Sequence, residues 1–151
     1  MVHEYVKGIR NYIGHDPLLL VAAGAIIHKG RQILLQKRGD NGTWAIHGGY
    51  IELGETVEET VRRELKEEIG ITPINLKFYK VFSGEDMHYI CPNGDEVYLV
   101  NVIFLCDEYE GELKQDDDEV VELKWFDVNN LPNNINSPVD KAILEGIDKI
   151  I

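Results

Sequence analysis

Hydrophobic positions change their period several times along the chain, and each change marks an element. Val2, Val6, Ile9 and Ile13 recur at helical spacing until Gly14 and Pro17 end the pattern, which predicts a short amphipathic helix within residues 1–14. Its apolar face would cover the core or a partner subunit, so a homodimer is left open. Residues 18–27 are almost wholly apolar and are followed by His28, Lys29 and Arg31. That run is too short to cross a bilayer and reads as a buried strand, so no membrane partner is expected. Leu18 to His28 and Gln32 to Gln36 form two strands joined at Lys29-Gly30 as a hairpin. Residues 76–82, 87–91, 97–105 and 120–126 read as further strands, with Pro92-Asn93-Gly94 as a turn.

Near the end, Ser137 before Pro138, with Asp140 in the first turn, predicts a final helix carrying Ile143, Ile147, Ile150 and Ile151 as one stripe. Strands outnumber helices and hairpins outnumber crossovers. The expected class is therefore α/β, a mixed, largely antiparallel sheet with helices on both faces. At 151 residues, without repeats or a Ser/Pro-rich linker, the chain is expected to form a single domain spanning 1–151.

The strongest helical signal lies in the middle. Thr56 with Glu59 three residues later fits a capping box, Gly70 suits a left-handed cap, and Pro73 prevents continuation. The helix should run from Val57 to Ile69. Val57, Val61, Leu65 and Ile69 make one buried stripe. Glu64, Glu67 and Glu68 are related by i, i+3 and i+4, so three like charges rise from adjacent turns. Glu58 and Glu59 suit the helix N-terminus. The other three sit where the dipole disfavours anions, and spacing alone leaves a solvated face and a divalent-cation site equally open. Oxygen ligands suit Mg²⁺ or Mn²⁺, and the glycines before the helix would let a backbone carbonyl approach the same ion.

Charge and cysteines narrow the function. The formal net charge of −12 argues against a DNA or RNA duplex as partner, and it would repel a phosphate at long range unless cations mediate. Only Cys91 and Cys106 are present, with no metal-type spacing and no secretory pattern at the start, which suits reduced thiols in a cytoplasmic protein.

The segment from Gly49 to Ile71 resembles the signature of the Nudix hydrolases: Gly, five residues, Glu, seven residues, Arg-Glu, an apolar residue, any residue, Glu-Glu, any residue, Gly and an apolar residue. Gly49, Glu55, Arg63, Glu64, Leu65, Glu67, Glu68, Gly70 and Ile71 meet every position. The resemblance implies a Nudix-type α/β/α sandwich and a pyrophosphohydrolase that uses Mg²⁺ or Mn²⁺. Its partner would be a small-molecule nucleoside diphosphate linked to another group: a nucleoside triphosphate, a nucleotide sugar, ADP-ribose or a dinucleoside polyphosphate.

Carried over by position, Glu64, Glu67 and Glu68 resemble the metal-binding carboxylates, with the Gly48 carbonyl as a further ligand. Arg63 resembles the partner of Glu55 in an ion pair, with contact to phosphate as the second role. Glu64 leads as general base, and an acidic residue of the loop Gln115 to Glu119 (Asp116, Asp117, Asp118 or Glu119) competes. The family usually has proline where this chain has His47, which would contact a ligand or simply support the loop. Trp44, Tyr50 and Tyr89 would stack a base or fill core. No clear proline marks ADP-ribose hydrolysis, and Tyr89 lies only loosely near the tyrosine associated with dinucleoside polyphosphates. A nucleotide-sensing module without turnover is the alternative function, and an isomerase on the same fold is a third.

Overall fold

The computed structural model describes residues 4–115 and 119–151. Helix α1 (Glu4–Ile13) leads into β1 (Leu18–Lys29), and a tight turn at Gly30 returns the chain as β2 (Gln32–Arg38). Two short strands follow, β3 (Trp44–Ala45) and β4 (His47–Tyr50), and then α2 (Val57–Ile69). Next come β5 (Thr72–Pro73), β6 (Lys77–Phe82), β7 (His88–Ile90), β8 (Glu96–Cys106), β9 (Tyr109–Glu110) and β10 (Val120–Asp127). Helix α3 (Val139–Leu144) and a 3₁₀ turn at Ile147–Lys149 close the chain. No helix among the described residues is long and apolar enough to cross a membrane.

The main sheet has the order β10, β2, β1, β8, β6, with β3, β4 and β7 attached to β2, β1 and β8. β8 runs parallel to β1 from the Leu18–Val97 pair to the Ile27–Cys106 pair, and the other strand pairings are antiparallel. A mixed, largely antiparallel sheet is what the pattern predicts. On its other edge β1 is shared. β2 pairs with it only from Ile27 to Lys29, then parts from it, and β4 takes over from Ala22 to Ala25. This fork positions the site.

Alternation along β1 sends Leu20 and Ile26 to one face and Ala23, Ala25 and Ile27 to the other, so the sheet needs cover on both sides. On the first face Ile143, Leu144 and Ile147 pack against Ile26, Ile33 and Ile103, and Val6 of α1 adds to the margin. On the second, Val61, Leu65 and Ile69 of α2 are fully buried. Each such side chain contributes about 1.5–3 kcal/mol. The result is the α/β/α sandwich.

Helix α2 has the predicted ends. The Thr56 hydroxyl accepts from the Glu59 N–H at 3.1 Å, the Glu59 carboxylate accepts from the Thr56 N–H at 3.2 Å, and Gly70 is left-handed with φ 80°. The final helix differs from expectation. It ends at Leu144, because Glu145 is extended and Gly146 turns left-handed, so Ile147 reaches the core from a separate turn while Ile150 stays exposed. Ser137 supplies no cap, and the residue at the N-cap position is Pro138. The sequence reading also lacks β3, β4, β5 and β9, which are too short to show a period.

Thr56→Ala removes half of the capping box. It should lower the unfolding free energy by about 1 kcal/mol in urea titration, with an unchanged m-value.

Candidate active site

Beside its apolar stripe α2 buries a polar one. Thr60, Glu64 and Glu68 follow each other at i, i+4 and i+8, and Glu64 and Glu68 are only 3% and 8% exposed. The two carboxylates face the backbone of β4. A Cβ on Gly49 would overlap the Glu64 carboxyl group, and one on Gly48 would collide with the Ala23 carbonyl and the Gly24 Cα. The glycine pair therefore lets β4 touch both β1 and the carboxylates, a packing no other residue permits.

Taking carboxylates out of water costs several kcal/mol per ion, comparable to what the apolar stripe contributes, so they require partners. Arg63 supplies charge. Its Nε and Nη2 donate to the two oxygens of Glu55 at 2.6 and 3.0 Å, Nη1 donates to Glu64 Oε1 at 2.8 Å, and Nη2 also donates to the Tyr50 carbonyl at 3.1 Å. Glu55 accepts in addition from the Thr60 hydroxyl and the Glu52 N–H. Arg63 above all holds the Glu55 carboxyl down to about 2, and Glu55 in turn raises the guanidinium. The ion pair inferred from the resemblance is present and bidentate.

Glu68 is held differently. Burial, and then the charge of Glu64 beside it, push its carboxyl well above the usual range. A hydrogen bond of 2.8 Å from Gln36 Nε2 and one from the Gly48 N–H act against that rise. Gly48, Glu64 and Glu68 thus border one cavity, of about 410 Å³. Glu67 is turned aside toward Arg63 Nη1, 3.5 Å away, and among the described residues no three His, Cys, Asp or Glu side chains close into a single cage. Asp116, Asp117 and Asp118 lie outside the described residues. Glu119 is described and lines the same cavity.

Of the opposite wall, sequence reasoning named Tyr89 and missed the rest. Arg38 pairs with both oxygens of Asp40 at 3.0 and 2.7 Å, and its guanidinium lies 5.9 Å from the Tyr89 ring centre. Asp140, read from sequence as an ordinary first-turn charge, is buried here. It accepts from the Ile46 N–H at 3.0 Å and from Asn136 Nδ2 at 2.8 Å, and burial raises its carboxyl. Its spacing to Asn136 was the only signal available. Tyr50 and Tyr89 also line the cavity. Trp44 does not: it is buried in the core, edge-on to Phe126 with 5.0 Å between ring centres. His47 is fully buried, and burial depresses its imidazole to about 4, so it is neutral.

The model of the NUDIX domain matches residues 18–145. The chain belongs to the Nudix family. Its Nudix signature, Gly49 to Ile71, takes in the end of β4, the loop after it and the whole of α2. It is 44% identical over 115 residues to an ADP-ribose pyrophosphatase of Methanocaldococcus jannaschii, covering 74% of this chain and 64% of that protein. It is 32% identical over 120 residues to the NAD-capped RNA hydrolase NudC of Vibrio vulnificus, covering 78% of this chain and 42% of that one. The chain therefore spans roughly two thirds or less of the length of these relatives. Among solved structures, a MutT NUDIX hydrolase of Burkholderia pseudomallei superposes with a TM-score of 0.73 at 29% identity, covering 86% of this chain and 98% of that one.

Two outcomes follow from the Arg63–Glu55 pair. Arg63→Ala should cost about 3 kcal/mol of stability, at the low end for a broken buried pair because a fifth of the Arg63 side chain is exposed. An unchanged unfolding midpoint would instead give Arg63 a role outside the fold. Glu55 is depressed to about 2 from an ordinary 4.5, so its contribution is complete above pH 4.5 and is lost as pH falls through 2. Unfolding of wild type and Glu55→Gln, compared from pH 6 to pH 2, should show a stability gap that closes over that window.

Proposed function

We propose that this Nudix chain hydrolyses the diphosphate linkage of a small-molecule nucleoside diphosphate joined to another group, with a divalent cation, Mg²⁺ or Mn²⁺, as cofactor. The observation that carries the reading is the pair of buried carboxylates, Glu64 and Glu68, set side by side in the wall of a cavity large enough for a nucleotide. The residues present fit such an ion. They offer hard oxygen donors, and the Glu68 carboxyl is raised by burial and by its neighbour's charge, so a positive charge there relieves a cost already built in. Glu64, Glu68 and the Gly48 carbonyl would hold it, and Glu67 would join them by turning from Arg63. When bound, it neutralises phosphoryl oxygens and acidifies water.

The chain's own residues do the rest. Arg63 fixes the Glu64 carboxylate through Oε1, and Glu55 fixes Arg63. Water adds to phosphorus opposite the leaving oxygen, Glu64 accepts its proton, and the bond to the departing phosphate breaks. An acidic residue among Asp116 to Glu119 is the competing base. Arg38, Tyr89, Asn136 and Asp140 on the far wall offer donors, acceptors and a ring face to the nucleoside or the linked group. The archaeal relative's name puts ADP-ribose first among substrates to test, with the NAD-type cap named for the bacterial relatives next.

With Mg²⁺ and a panel of nucleoside triphosphates, nucleotide sugars, ADP-ribose and dinucleoside polyphosphates, at least one should be cleaved, and simple phosphomonoesters should not, because they lack the second phosphoryl anchor. Label from ¹⁸O-water should appear on one phosphate product. Cleavage of phosphomonoesters alone would defeat the proposal, and tight nucleotide binding without turnover would support the sensing module.

EDTA should abolish turnover and Mg²⁺ or Mn²⁺ restore it. Glu68→Gln, folded by circular dichroism, should lose about 100-fold or more in kcat.

A further inference from the structure

Behind Glu68 lies a buried polar chain that no step above uses. His47 Nε2 is 2.9 Å from the Leu34 carbonyl, His47 Nδ1 is 3.1 Å from Gln36 Nε2, and Gln36 Nε2 is 2.8 Å from Glu68 Oε2. His47, Gln36 and Glu68 are 0%, 7% and 8% exposed, so these groups rely on one another rather than on bulk water. Each end of the chain determines its polarity. At one end a carbonyl can only accept, so Nε2 carries the hydrogen and Nδ1 is the bare acceptor. At the other, the Gln36 amide faces the Ile46 carbonyl, 3.2 Å away, which can only accept, so nitrogen and not oxygen points there, and the same nitrogen lies 2.8 Å from Glu68 Oε2. The two deductions agree at the middle bond, where Gln36 donates to His47 Nδ1.

We propose that Gln36, locked by His47, is the positioning residue that sets the orientation of the Glu68 carboxyl group in the cation site; this rests on the hydrolase reading given above. A glutamine side chain has three torsions and would otherwise sample several rotamers. The bond to His47, supported by the Ile46 carbonyl, takes one amide hydrogen and leaves the other aimed at Oε2. The fork in the sheet makes this possible. β2 parts from β1 beyond the Ile27–Leu34 pair, β4 enters beside Ala25, and His47 on β4 fills the wedge. Because the donor is a neutral amide, Glu68 is oriented without a cation that would compete with the bound ion for its charge. A lysine or arginine in that place would do so.

The test uses Mn²⁺ alone, its free concentration read by electron paramagnetic resonance, with wild type, Gln36→Met, His47→Leu and the double variant. Gln36→Met keeps the volume and removes the donor. It should weaken Mn²⁺ binding about 10- to 100-fold, as loss of an outer partner of a metal ligand does. His47→Leu should weaken it in the same direction, and the double variant should be no weaker than Gln36→Met, since His47 acts only through Gln36. A merely structural role would lower thermal midpoints additively and leave Mn²⁺ affinity alone.

Because His47→Leu strands the Leu34 carbonyl and threatens the fold, the tautomer is also read in folded wild type by ¹⁵N-histidine NMR at pH 7. The Nε2–H form is expected, and a Nδ1–H form or an imidazolium overturns the relay. Wild type that binds and hydrolyses while Gln36→Met keeps its Mn²⁺ affinity overturns the relay alone. Wild type that takes up no Mn²⁺ overturns the hydrolase reading with it.

Discussion

The burial of two carboxylates side by side is the constraint around which this molecule is arranged. Glu64 and Glu68 lie against the sheet on the same helix that packs Val61, Leu65 and Ile69, so the contact that stabilises the fold also carries a large electrostatic cost. The local devices of the signature answer that cost. Arg63 brings a charge to Glu64 and is anchored by Glu55, and Gly49 clears the volume that the Glu64 carboxylate occupies. Gln36 and the Gly48 N–H donate to Glu68. Without these donors the apolar stripe would pack against carboxylates that have lost compensation, and with a side chain at position 49 the Glu64 carboxyl group would be displaced.

The sheet is shaped to the same end. A simple hairpin between β1 and β2 would continue along both strands and leave no room for a third. Here the pairing stops at Ile27 and Leu34, and β4 crosses so close to β1 that neither Gly24 nor Gly48 could bear a side chain. That crossing brings the backbone before α2 under the helix's carboxylates. It also opens the wedge filled by His47, whose two nitrogens satisfy a carbonyl of β2 and a side chain of β2 at once. Sheet topology and site chemistry are linked through this one point.

What could be read beforehand divides along physical lines. Helix α2 was legible because its caps, apolar period and stop signal all agree, and the structure returns it from Val57 to Ile69. The long strands were legible from composition, and the α/β/α layering followed from them. The split helix at the C-terminus was not, since Ile143 and Ile147 keep helical spacing across a break at extended Glu145 and left-handed Gly146 that Gly146 alone announces. In the site, residues within the signature could be named, but of the cavity's other wall only Tyr89 was. Asn136 and Asp140 meet locally, four residues apart, but they meet Arg38 only through the pairing of β2 with its neighbours and the docking of α3, and no local pattern records that. His47 stood out as a departure from the family's proline, yet its reason, a bond to a carbonyl thirteen residues away, is tertiary.

Charge explains why such a protein would act through a metal at all. The chain carries a formal charge of −12, and the arginines bordering the site are committed: Arg63 to both oxygens of Glu55, Arg38 to both oxygens of Asp40. A bidentate guanidinium–carboxylate pair is close to neutral at the distance of a substrate, so these side chains orient more than they attract. A diphosphate approaching this surface meets repulsion at long range and little net positive charge from these two pairs at short range. On the function proposed above, a divalent cation at Glu64 and Glu68 would reverse the local sign where the two carboxylates stand together. On that reading the acidic character of the protein would act as a form of selectivity, since an anion would gain entry to the cavity only by engaging the cation, and a group with two adjacent phosphoryls would engage it best.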